Sequence, residues 1–173
     1  MPHLCNYQGR AIFLDASDML MRADIAELVA LFDPDCAVQV VKHDYKTSAS
    51  RKYLGTDMEA PNADYPRKNW SSLILWNCGH PAHKALTPER VARKPGSHLH
   101  RFGWLLDSTI GELPAAWNVL IGEQAATDCK IAHWTLGIPG IEHYSKADYS
   151  DEWRANLDRM LRGPTETAVR MAA

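Results

Sequence analysis

The sequence predicts an α/β fold in one domain. Two observations carry that prediction: short apolar runs of strand character recur along the chain, and helical patterns are interleaved with them. A third observation concerns chemistry. The polar residues best suited to it stand just past the ends of those runs, where open α/β sheets place their ligands.

The elements follow in order. "RAIFL", 10–14, is a short apolar run entered from a Gly turn, which predicts a buried strand. "MLMRADIAELVALF" has Ile25, Leu28, Val29 and Phe32 at helical spacing, with Asp24 as N-cap and Glu27 three residues on, as in a capping box. "AVQVV", 37–41, is β-branched and predicts a second strand. Residues 43–69 lack periodicity and are rich in Lys, Ser, Asp, Asn and Pro, which predicts a long surface loop with one short helix. "SSLILWN", 71–77, is a third buried strand, and "PAHKALTPERVARKPG" reads as two helical pieces around a turn. "GELPAAWNVLIGE" holds a turn and a short strand, and "KIAHWTLG", 130–137, is a strand that stops at Gly137. "SDEWRANLDRMLRG" is the clearest helix, with Ser150 as N-cap, acids in its first turn, Arg in its last and Gly163 as stop. Residues 1–163 are expected to form the domain and 164–173 a flexible tail.

Bulk properties exclude several classes. The net charge of −2 gives no global basic field for nucleic acid or a membrane surface. No apolar run approaches the roughly 20 residues that span a bilayer. The four cysteines are widely spaced and never Cys-x-x-Cys, which predicts free thiols in a reducing, cytoplasmic setting.

Three stretches carry the candidate chemistry. Asp15 and Asp18 follow the first strand. Two acids there suit a divalent cation, Mn²⁺ or Mg²⁺, that bridges protein to a diphosphate, and they equally suit a turn and a helix cap. His133 closes an apolar run and precedes a loop from Gly137 to Gly140 in which backbone could approach a ligand. Arg67 and Lys68 precede the third strand and suit phosphate, while Asn77 ends it and suits sugar hydroxyls. Trp70, Trp76, Trp104 and Trp117 could stack on sugar rings or fill the core. Asp107 or Glu123 would serve as general base in an alternative hydrolase reading.

"AIFLDASDMLMRADIAEL", "YPRKNWSSLILWNCGHPAHKALTPE", "LHRFGWLLD" with "IGELPAAWN", and "KIAHWTLGIPGIEHYSKADYSDEW" together resemble bacterial glycosyltransferases of the family 8-like, GT-A type. The resemblance implies a Rossmann-like nucleotide-diphospho-sugar transferase fold and a metal-dependent transfer of a hexosyl group from a nucleotide-sugar to an acceptor. It puts the metal on Asp15, Asp18 and His133, and the donor or acceptor on Asn77. The usual Asp-x-Asp is here Asp-Ala-Ser-Asp, and the usual late Lys after the His is missing. Few residues precede the first acid, so the frame is expected to lack its first βαβ unit and to expose an edge suited to homo-oligomers. The alternative is a non-catalytic remnant of that frame, acting in binding or assembly.

Overall fold

The computed structural model describes residues 1–15, 17–125 and 128–163; the tail expected over 164–173 lies outside the described residues. The strands are β1 (Arg10–Leu14), β2 (Met19–Met21), β3 (Val38–Val40), β4 (Arg51–Lys52), β5 (Ala60–Pro61), β6 (Leu73–Asn77), β7 (Ile110–Glu112), β8 (Val119–Leu120) and β9 (Ile131–His133). The α-helices are α1 (Ile25–Val29), α2 (Pro88–Arg93), α3 (Gly96–His100) and α4 (Ser150–Arg162). Short 3-10 turns link several of them. The expected α/β class holds in this coarse form, as mixed sheets with few helices.

The strands form a four-stranded sheet in the order β1-β6-β3-β7, a three-stranded sheet β2-β9-β8, and the two-stranded pair β4-β5. Both larger sheets are mixed. In the first, β6 is antiparallel to β1 and β3 while β3 is parallel to β7; in the second, β2 is antiparallel to β9 and β8 is parallel to it.

Strand β6 is central and covered on both faces, which is why "LILW" is a continuous apolar run. Side chains alternate across a strand. Ile74 and Trp76 accordingly pack with Val38, Val40, Phe102 and Ile110, while Leu73 and Leu75 pack on the other side with Leu28, Leu113, Trp117 and Ile131. A third cluster joins Val119, Ala132 and Trp134 to Trp153 of α4. Gln39 is the buried polar residue of β3. Its amide donates to the Leu31 carbonyl at 2.8 Å and its oxygen accepts from the Asp33 N–H at 2.7 Å, so the first helix is tied to the sheet.

Four local expectations change. The first strand is not buried: β1 is a sheet edge, and Phe13 is exposed. The helix capped by Asp24 is shorter than its spacing implies: only Ile25–Val29 coil, with the Asp24 carboxylate accepting from the Ala26 N–H at 2.8 Å, and Met19–Met21 ahead of the cap pair with β9 as β2. The segment 43–69 contains no helix. It contains the β4–β5 pair and two buried polar residues, His43 and Asn62, and it is bound to the loop after β9 by the Tyr53 N–H on the Leu136 carbonyl. Tyr149, at φ 60°, caps α4 and Ser150 is its first residue; Gly163 ends it as expected.

Among the described residues no helix is long and apolar enough to cross a membrane.

Candidate functional site

The chain leaves the four-stranded sheet at Leu14 and enters the three-stranded sheet at Met19. Asp15 and Asp18 bracket this crossing. In one continuous strand, residues i and i+3 point to opposite faces; here the strand breaks between the two acids, so both line the same crevice. The Asp15 N–H is bound to the Ser72 carbonyl at the end of β1, and the Asp18 carbonyl accepts from the Trp134 N–H beside β9.

The register Met19↔His133 sets Asp18 against the imidazole. His133 Nε2 lies 3.4 Å from Asp18 Oδ2, and the ring is 2% exposed. Its other nitrogen, Nδ1, is 2.8 Å from Asn118 Oδ1. The Asn118 amide nitrogen donates to Ser72 Oγ at 2.9 Å and to the Asn69 carbonyl at 3.4 Å, so Oδ1 is the atom that faces the ring. An amide oxygen only accepts. Nδ1 therefore carries the proton, and Nε2 of a neutral ring presents a lone pair to the Asp18 carboxylate. Two lone pairs in that position call for a cation between them, a proton or a metal ion. Asp18 Oδ1 is buried with no hydrogen-bond partner, and so is Thr135 Oγ1. Thr135 lies two residues past His133 and lines the same crevice, which encloses about 190 Å³.

Charge in the crevice is mixed. Burial holds the Asp15 carboxyl above the usual carboxylate range; the Asp18 charge adds to this, and His133 and His100 pull against it. Lys52 lines the same space and has no carboxylate partner among the described residues. Tyr65 is shared with a neighbouring crevice lined by Tyr45, Arg67 and Lys68.

Several sequence expectations are corrected by this geometry. Among the described residues no group of three His, Cys, Asp or Glu side chains forms a metal centre, so Asp15, Asp18 and His133 do not constitute a three-ligand protein site. Asp18 and His133 face each other across one sheet, whereas Asp15 is anchored at the edge of the other. The set of two fits a cation whose remaining ligands come from phosphate oxygens, and the orphaned Asp18 oxygen supports that fit. Asn77 is not at the crevice. Because β1 and β6 are antiparallel, Asp15 meets the start of β6, and Asn77 ends the same strand about 13 Å away at roughly 3.3 Å per residue. Its amide donates to the Pro34 carbonyl.

Gly137 serves packing: a Cβ there would meet the Tyr144 ring at 2.2 Å. Arg67 and Lys68 border the neighbouring crevice already engaged. Arg67 holds the Arg101 carbonyl and Asp107, and Lys68 donates to Asn62 at 2.7 Å. Burial lowers the Lys68 ammonium from its ordinary value. No spacing along the chain marks Lys52, Ser71, His100 or Asn118, which reach the site only through sheet pairing and loop docking. Trp76 and Trp117 are core residues.

No protein-family model matches the sequence. Over 163 residues the chain is 43% identical to Protein CDI of Arabidopsis thaliana, an alignment that covers 91% of this chain and 61% of that protein. The chain thus spans about three fifths of the length of this plant relative. That similarity overturns the expected placement among bacterial family 8-like glycosyltransferases, and with it the reading of the chain as a shortened member of that bacterial group.

Proposed function

We propose that the chain moves a hexosyl group from a nucleotide-sugar to an acceptor, with the donor's diphosphate seated in the Asp18–His133 crevice. One observation carries the reading: Asp18 Oδ1 and Thr135 Oγ1 are both buried, both unpartnered, and both in one small polar crevice. Buried polar atoms in native proteins are almost always satisfied, so the pair points to a polar ligand. Asp18 and His133 would hold a divalent cation, Mn²⁺ or Mg²⁺, which would supply Lewis-acid stabilisation of the leaving diphosphate.

The chain's own residues do the rest. Asn118 holds His133 with Nε2 toward the ligand. Lys52 adds positive charge where the phosphates sit. Tyr65 borders both this crevice and the one beside Arg67 and Lys68, the neighbouring space nearest to hand for the rest of the donor. A Rossmann-like nucleotide-sugar frame suits this placement, since Asp15 stands at a strand end and β3 and β7 run parallel. Free cysteines suit a reducing compartment, the cytoplasm in this reading. The open edge of β1 suits self-association, which a sedimentation experiment reads directly.

A thermal-shift series with Mn²⁺, with each common nucleoside diphosphate, and with both tests the proposal. A ligand specific for the native state raises its stability by mass action. The expected result is a shift that needs both metal and one nucleotide. No shift with any pair overturns it. The second reading, a non-catalytic binding protein, is favoured by one observation, the lack of a third protein ligand among the described residues.

A further inference from the structure

We propose that the apolar groove beside the donor crevice is the acceptor subsite, and that it takes an aromatic alcohol or phenol. This rests on the donor reading above. The groove encloses about 270 Å³ and is walled by Phe13, Trp76, Phe102 and Trp104, with Val91 at its rim. The rings of Trp76 and Trp104 lie 8° from parallel with centroids 6.3 Å apart, a stacked pair on which a further aromatic body can pack. Trp76 is 6% exposed, and its indole N–H is buried without an acceptor. An oxygen on the occupant would satisfy it.

Two residues, Ser71 and His100, line both this groove and the donor crevice. They are joined by a hydrogen bond of 2.9 Å between Ser71 Oγ and His100 Nδ1. The groove and the crevice where the sugar would sit therefore share a polar border. That junction is where an acceptor hydroxyl must stand.

The step balances as follows. The acceptor oxygen forms its bond to the anomeric carbon as the bond from that carbon to the diphosphate oxygen breaks. The bonding electron pair leaves with the diphosphate. The hydroxyl proton passes to His100 and on to water, since His100 is exposed.

The test uses the whole chain and 2-naphthol. Indole N–H signals are followed by NMR during titration, with Trp76 assigned from the signal lost in Trp76→Phe. Saturable shifts at Trp76 and Trp104 are expected. Val91→Trp, which fills the rim from an exposed position, should weaken 2-naphthol binding at least tenfold at unchanged melting temperature. Absence of shifts at both indoles, or undiminished binding by that variant, overturns the groove. With 2-naphthol and a panel of uridine and guanosine diphospho-hexoses, His100→Gln should lower naphthyl glycoside formation at least tenfold while the naphthol-induced shifts persist. Undiminished product overturns the role of His100. The metal-and-nucleotide thermal shift separates the two readings: nucleotide binding without groove binding overturns the aromatic acceptor alone, and groove binding in a chain that binds no nucleotide overturns the acceptor role with the donor reading.

Discussion

Asp18 and His133 meet across the β2–β9 pair, with Oδ2 and Nε2 3.4 Å apart, and Asn118 holds the far side of the imidazole at 2.8 Å. This places a carboxylate against the imidazole nitrogen that Asn118 leaves facing the crevice. Asp18→Asn gives Nε2 an amide donor in place of a second acceptor. The variant is expected to melt at or above the wild-type temperature and to lose the shift that requires Mn²⁺ and nucleotide together. Calorimetry with and without both ligands checks this, and an unchanged ligand shift would remove Asp18 from the site.

Asn118 is fully buried and joins His133 to Ser72 and Asn69. Asn118→Ala strands the His133 imidazole N–H in the interior, while the Ser72 hydroxyl keeps its bond to the Asn69 carbonyl at 2.7 Å. A loss of about 1–3 kcal/mol is expected in urea unfolding. A loss under half a kcal/mol would mean that water replaces the amide.

Gly137 lies under the Tyr144 ring, whose edge would stand 2.2 Å from an added Cβ. The Tyr144 hydroxyl in turn accepts from the Leu54 N–H, so the ring also holds the 43–69 segment. Gly137→Ala is expected to destabilise by about 1–3 kcal/mol, the usual result of overpacking. Urea unfolding reads the loss, and proteolysis near Leu54 should accelerate. A neutral substitution would show that Tyr144 is free to move.

His43 supplies a pH dependence. Burial holds its imidazole down at about 4, with His133 adding to the effect and the Gln124 hydrogen bond opposing it. The unfolded chain takes up this proton near pH 6.5, before the folded chain does. Between about pH 6.5 and 4 the unfolded state thus binds more protons, and stability falls as pH falls, by about 1.4 kcal/mol per unit of separation. Unfolding free energies of wild type and His43→Gln at pH 7 and pH 4.5 should differ in slope, with the variant flatter in this window. Parallel slopes would show that His43 is charged in the fold.

Trp76 fills the core between β6 and the aromatic groove. Trp76→Ala is expected to cost about 3–5 kcal/mol through the cavity it leaves. An unshifted unfolding midpoint would place the indole in solvent.

By itself the sequence determined the strands that depend on local pattern. "LILW" is apolar at every position because β6 is covered on both faces, and α4 carries its charges and its stopping glycine in its own stretch of chain. It also marked His133, a polar residue at the end of an apolar run, and the acid pair Asp15 and Asp18 that follows the first strand. Tertiary structure decided the rest. Which sheet a short run joins depends on partners distant in sequence, so Met19–Met21, ahead of the Asp24 cap, became a strand against β9. Antiparallel pairing of β1 with β6 sent Asn77 away from the crevice. Lys52, Ser71, His100 and Asn118 came to it from four separate segments, and no spacing along the chain encodes a convergence that only packing creates.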